Sequence, residues 1–158
     1  MLLLSILILR VNNTFLSTGT VISQSKLGMI AISIANSRLD EIKSKAFDEY
    51  TVSNVASKLN QLEMPNNLGA ETGEAYPNFN DIDDYNGFEM DDTVLVESGM
   101  RPEIFHDSCL VEYVSSDDPD ESVHGSATWN KRITVFVSHR LMPEKIKIST
   151  VYSYWNFK

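Results

Sequence analysis

The sequence predicts an α+β fold, with a long N-terminal α-helix packed on a C-terminal antiparallel β-sheet head. Three observations carry this. Residues 1–50 contain no proline and place apolar side chains at helical spacing. Residues 88–158 hold runs in which β-branched and aromatic side chains alternate with polar ones. Between them lies a connection rich in proline, glycine, asparagine and aspartate. A chain of 158 residues with 42% hydrophobic side chains is long enough for one head with a sizeable core.

The helix divides into residues 1–25 and 26–50. From Met1 to Leu9 there is no charge, and the apolar residues Leu2, Leu3, Leu4, Ile6, Leu7, Ile8 and Leu9 lie all round the axis, interrupted only by Ser5. That pattern calls for burial on every side, which one copy of the chain cannot supply. The run is also shorter than the ~20 residues needed to cross a bilayer. Arg10 closes it, either as a counter-charge to an acid of a neighbour or as a side chain that snorkels to the edge of an apolar layer. A secretory signal would place basic residues before the apolar run, and here Met1 begins directly in it. If the chain is a mature product, a basic leader preceded Met1.

The next turns, with Asn12, Asn13, Thr14, Ser17, Thr18, Gly19 and Thr20, weaken a helix through competing side-chain hydrogen bonds and backbone entropy. A local stretch is expected there, and Gly28 is a second flexible point or a site of close approach. In the second half Ile32, Ala35, Leu39, Ile42 and Ala46 form an apolar stripe that packs on the head. Arg38, Asp40, Glu41, Lys43, Lys45 and Glu49 make the solvated face, with Glu41 and Lys45 spaced to pair.

Residues 51–158 comprise the loop-rich region and the head. MPNNLGAETGEAYPNFNDIDDYNG is turn chemistry throughout. Four strand-like runs follow: FEMDDTVLVESG, IFHDSCLVEYVSS, ATWNKRITVFVSHR and EKIKISTVYSYW. In the third, Ile133, Val135 and Val137 share one face; in the fourth, Ile146, Ile148, Thr150, Tyr152 and Tyr154 do. Turns at SSDDPDESVHGS and RLMPEK make this a meander with one face on a core. Trp129 and Trp155 read as core aromatics.

Charge narrows the function classes. The net charge is -9, which argues against nucleic acid, since phosphate recognition needs clustered Lys and Arg. Residues 1–39 carry +3 from Arg10, Lys26 and Arg38 and no acid, while the remainder carries -12. An apolar, mildly basic stalk is thus joined to an acidic head. The lone Cys109 forms no intrachain disulfide and reads as a small buried hydrophobe. His106, His124 and His139 are scattered without zinc spacing. Nucleophile elbow, phosphate loop, dinucleotide fingerprint and haem attachment motif are all absent, so no catalytic residue is assigned and no enzymatic activity is expected.

The stretches MLLLSILIL, IAISIANSRLDEIKSKAFDEY, NDIDDYNG, ATWNKRITVFVS and KIKISTVYSYW together resemble the plan of type IV pilins and the pseudopilins of type II secretion systems. The resemblance covers the whole chain and lies in plan rather than in a catalytic signature. It implies a structural subunit of an extracellular, cell-surface helical homopolymer. Met1, Leu2, Leu3, Leu4, Ser5, Ile6, Leu7, Ile8, Leu9 and Arg10 would form the assembly core, and Asn12, Asn13, Gly19 and Gly28 the flexible zone. Before assembly the apolar segment would be stored in the inner membrane and handled by pilus assembly machinery. A minor pilin or pseudopilin is the alternative, as is a membrane-tethered ligand-binding head. Bundling seven large aliphatic side chains at about 25 cal/mol per Å² contributes on the order of 10 kcal/mol per subunit. Most of the family carries a glutamate where this chain has Ser5, so the N-terminal amine, commonly methylated there, lacks its usual counter-charge. Some pseudopilins also bind calcium in the head, and Asp81, Asp83 and Asp84 offer hard oxygens for it. Their spacing is not that of an EF-hand, and turn formation is the simpler reading of the same residues.

Overall fold

The computed structural model describes the backbone of residues 2–96 and 102–155, and the side chains from Ile22 onward apart from Ser23. Helix α1 runs without a break over Leu2–Lys43, about 63 Å at 1.5 Å per residue. A short helix α2 (Glu49–Ser53) and three single 3₁₀ turns follow (Leu59–Gln61, Pro65–Asn67 and Asp83–Tyr85). The strands are β1 (Glu89–Val94), β2 (Glu103–Tyr113), β3 (Asn130–Ser138) and β4 (Ile146–Ser153), in the order β1-β2-β3-β4 with every neighbouring pair antiparallel. The architecture is therefore one helix laid on a four-stranded meander.

The register puts side chains of one phase on the inner face in cross-strand rows. Cys109 lies opposite Val135, which lies opposite Ile148; Val111 pairs with Ile133 and Thr150; Tyr113 pairs with Lys131 and Tyr152. Phe105, Val111, Ile133, Val135 and Val137 are each 1% exposed or less. The opposite face is polar and tied across strands by Arg132 with Glu112 at 2.7 Å and Thr134 with Ser149 at 2.9 Å.

Helix α1 covers the inner face chiefly over β3 and β4. Its buried side chains are Leu27, Ala31, Ala35, Leu39 and Ile42, with Arg38 among them. Two alanines at a spacing of four let the helix backbone approach the sheet. This corrects the expected stripe in two places. Ile32 is 44% exposed, because it lies about 100° round the axis from Ala31, which takes the buried position. Ala46 is outside the helix: α1 stops at Lys43, and Ala46 bridges Asp81 in parallel, with Ala46 N donating to Asn80 O and Ile82 N to Ala46 O.

The expected helix to residue 50 ends early because Asp48 starts a new one. Its carboxylate accepts from Tyr50 N at 3.2 Å, and its own amide donates to Thr51 Oγ1 at 3.0 Å, a reciprocal cap. The pair expected between Glu41 and Lys45 is also absent. Glu41 binds Arg38 and Tyr85, while Lys45 Nζ donates to Phe79 O at 2.7 Å. Gly87, at φ +78°, adopts the left-handed conformation that turns NDIDDYNG into β1.

The flexible zone is helical in this structure. The backbone of Asn12, Asn13 and Gly19 continues α1 without interruption. Gly28 is not a close-approach site within the chain, because a Cβ built there meets nothing within 4 Å. Gly28→Ala is accordingly expected to stabilise the protein by about 0.5–1 kcal/mol, seen as a higher denaturation midpoint in circular dichroism. A loss of stability would mean that this position must bend.

Candidate assembly segment and buried ionic centres

Of the expected assembly core, Met1 lies outside the described residues. Leu2, Leu3, Leu4, Ser5, Ile6, Leu7, Ile8, Leu9 and Arg10 have a helical backbone, but their side chains lie outside those described. Among the described residues, no helix is long and apolar enough to cross a membrane. Further along, Ile22 and Met29 are each 65% exposed. Seven residues apart, they share the side of α1 turned away from the buried Ala31 and Ala35, whereas Ile32 lies at the edge of the packed face near Leu39.

Among the described residues, two buried ionic centres hold the head. In the first, Lys131 at the start of β3 is fully buried. Its Nζ donates to Asp83 Oδ1 at 2.6 Å, Phe47 O at 2.7 Å and Asp48 Oδ2 at 3.3 Å, which uses all three ammonium donors. The ammonium also lies 4.6 Å from the Phe47 ring centroid and 5.1 Å from that of Tyr113. Asp48 Oδ2 accepts in addition from the Tyr113 hydroxyl and Glu63 N. Burial raises the Asp83 carboxyl above its ordinary range, and Lys131 pulls against that. Burial, then Asp48, push the Tyr113 hydroxyl up.

In the second centre, Arg38 of α1 meets Asp107 of β2, with Nε donating to Oδ2 at 2.9 Å and both residues buried. Its Nη1 donates to Glu41 at 2.6 Å and to Tyr76 Oη at 3.3 Å, and its guanidinium lies about 5 Å from the Tyr76 and Phe88 ring centroids. Burial raises the Asp107 carboxyl, opposed by Arg38. The sequence placed Arg38 on the solvated face, and the structure puts it at 6% exposure.

The three aspartates expected to offer calcium ligands do come together in the buried turn at Asp83–Tyr85, but with different tasks. Asp83 serves Lys131. Asp84 Oδ2 accepts from Asn80 N and Asp81 N, and Asp81 Oδ1 accepts from Asp84 N, so the turn-forming role is present. Asp81 is pushed up to about 9 by burial and by the charges of Asp83 and Asp84. Glu71 rises to about 8 through burial and its contacts with Glu74 and Asp84. Pattern reading missed Glu71, Glu74, Lys131 and Asp107 as partners. For the last two a signal existed: the phase that sends Val111 and Ile133 inward does the same for Asp107 and Lys131.

Among the described residues of the head, Cys109 is not set up as a nucleophile. Cys109 is 4% exposed, and burial, then Asp107, push its thiol up to about 12. His106 pairs with Asp91 at 2.9 Å on the surface, and His139 with Glu103 at 3.0 Å beside the Phe105 ring. Trp129 is half-buried and stacked on Tyr154, whereas Trp155 is 76% exposed and so is not the core aromatic expected.

Two outcomes follow. Lys131→Met leaves Asp48 and Asp83 buried without their cation and should destabilise the protein by about 3–5 kcal/mol in chemical denaturation. Adding Asp83→Asn should recover much of that loss, since Asp48 keeps its other donors, Tyr50 N, Glu63 N and the Tyr113 hydroxyl. The raised carboxyls set a pH dependence. Asp81 and Glu71 hold protons in the folded state well above their unfolded pKa values of about 4, so their contribution is complete below pH 4 and lost as pH rises toward 9. In metal-free buffer Tm should fall between pH 5 and pH 9, and Asp81→Asn should flatten that fall.

No protein-family model, characterised protein or solved structure matches this chain, so the reading of its function rests on its own residues.

Proposed function

We propose that the chain is a structural subunit of an extracellular pilus-like helical filament, assembled by bundling of its apolar N-terminal helices. The observation that carries this reading is the single uninterrupted helix Leu2–Lys43. Its C-terminal half is locked to the head by Leu27, Ala31, Ala35, Arg38, Leu39 and Ile42, and the apolar run at its other end is reached through helix alone. A tether that merely anchors a binding head works as well with a flexible linker. A polymer needs the rigid connection, because the angle between bundle and head sets how successive heads stack.

The exposed pair Ile22 and Met29 supports the same reading. Isolated exposed apolar side chains are ordinary, but two on one face of a projecting helix extend the bundling surface toward the head. Before assembly the apolar segment would be held in the inner membrane, to be drawn out by assembly machinery. On this reading the protein performs no reaction.

A minor pilin or pseudopilin that primes or caps a filament is the second reading, and Ser5 favours it. A subunit that cannot offer an acid to its neighbour's terminal amine is better suited to a position where that pairing is made once or not at all. Stoichiometry separates the two: a major subunit dominates purified surface filaments by mass and forms them in negative-stain micrographs. Deleting residues 1–25 should leave a folded head, since the buried core residues among the described side chains of α1 begin at Leu27, while abolishing polymerisation. Filaments built from the truncated chain would overturn the assembly reading.

A further inference from the structure

Trp155, which the fold leaves 76% exposed, stands on a groove of about 810 Å³. The groove lies at the end of the sheet where β2 and β4 finish and β3 begins. Trp129, Tyr154 and Trp155 line it with aromatic rings, and Ser116, Asn130 and Ser153 line it with polar side chains. Its size is that of an ordinary small-molecule site, about 300–1,000 Å³.

The aromatic wall is built before any ligand arrives. The Trp129 and Tyr154 rings stack with centroids 5.6 Å apart and planes 20° apart. Tyr154 N donates to Trp129 O at 2.8 Å, Tyr154 Oη accepts from Ala56 N at 3.1 Å, and the Tyr154 ring packs on Phe47 with centroids 5.4 Å apart. Three separate segments therefore fix one ring, which spares a ligand the cost of ordering it. The polar side is ordered as well: Asn130 Nδ2 donates to Ser116 Oγ at 3.0 Å, and Asn130 Oδ1 accepts from Ser153 Oγ at 2.6 Å. That arrangement leaves the second amide hydrogen of Asn130, the Ser116 hydroxyl hydrogen and lone pairs on both serine oxygens for a ligand.

None of the eleven described residues that line the groove is charged, although 22% of the chain is. A cation would find no carboxylate there, and an anion would be opposed by the -12 carried by residues 40–158. The occupant is therefore neutral, with flat apolar faces to lie on indole and phenol rings and hydrogen-bonding groups along its edges. A pyranose with equatorial hydroxyls has that shape. Its axial C–H bonds make two apolar faces, and its hydroxyls, each both donor and acceptor, radiate in the plane of the ring toward serine and amide partners. A proline-rich peptide uses aromatic grooves too, but proline has no N–H, so the serine lone pairs would go without a donor. Ser153, Tyr154 and Trp155 also line a second depression of about 260 Å³ beside Phe47 and Tyr152. The surface thus continues past Trp155 and suits a chain of sugars better than a single one.

We propose that this groove binds a neutral β-linked oligosaccharide of gluco configuration, built of glucose or N-acetylglucosamine, with Trp155 stacked on one of its rings. The proposal concerns the head alone and stands independently of the filament reading.

The test uses the full chain in a zwitterionic detergent without a sugar headgroup, titrated with cellotetraose or chitotetraose and followed by calorimetry and tryptophan fluorescence. The expected result is saturable binding of at least one of the two at one site per chain, tighter than that of the matching monosaccharide, with a shift in tryptophan emission. Trp155→Ala should weaken binding at least about tenfold without lowering Tm, because the side chain it removes is exposed, and Trp155→Phe should restore part of what Trp155→Ala loses. Leu141→Ala, at an apolar residue 53% exposed in the turn between β3 and β4, should leave binding unchanged. No saturable binding of either tetramer, no preference over the monosaccharide, equal binding of tetragalacturonate, tighter binding of decaproline, or undiminished binding by the Trp155→Ala variant would overturn the proposal.

Discussion

The buried ammonium of Lys131 sets the terms for the rest of the head. Removing a charged amine from water costs several kcal/mol even after relaxation, and here that cost is offset only when four separate pieces of chain arrive together. β3 carries the lysine, the segment after α1 brings Phe47 O and Asp48, the 3₁₀ turn brings Asp83, and β2 brings the Tyr113 ring and hydroxyl. Each group is satisfied through the others. The break in the helix at Lys43 belongs to this arrangement: a helix continuing to residue 50 would carry Asp48 past the sheet, whereas the bridge at Ala46 and the cap at Asp48 hold the carboxylate over the lysine.

Arg38 and Asp107 impose a matching constraint on the helix. The apolar contact surface of α1 is smooth, with alanines facing β-branched side chains, and it would tolerate sliding. A shift of one turn moves Arg38 about 5.4 Å along the axis and opens its 2.9 Å contact with Asp107, leaving that buried carboxylate without its cation. Hydrophobic burial supplies the attraction between helix and sheet. The ion pair selects one register from those that burial alone would accept.

Much of this plan was legible in the sequence because it follows from periodicity. The long helix, the four strands, their meander and the inward phase of Val135 and Val137 all come from patterns of 3.6 and 2. The errors share a cause. Reading apolar residues as buried and charged ones as exposed chose Ile32 over Ala31 and sent Arg38 to solvent, although the spacing of Leu27, Ala31, Ala35 and Ile42 was equally available. The acids of NDIDDYNG were visible, but their division of labour was not, since the cation that claims Asp83 lies 48 residues away. Glu71 and Glu74 sit in a connection with no period at all, and only folding brings them beside Asp84.

On the filament reading, the charge asymmetry becomes a constraint on assembly. Residues 40–158 carry -12, so neighbouring heads on a filament surface repel one another while the nearly acid-free helices attract. Repulsion between exposed charges is screened beyond about 8 Å at physiological ionic strength, whereas apolar burial is not weakened by that salt. The two contributions therefore act at different ranges. The helices set cohesion, and the heads resist any approach closer than their screened fields allow, which favours an open packing of heads around a dense helical core. Rigid continuity of α1 from stalk to head transmits that repulsion to the bundle as a preferred spacing of subunits along the axis.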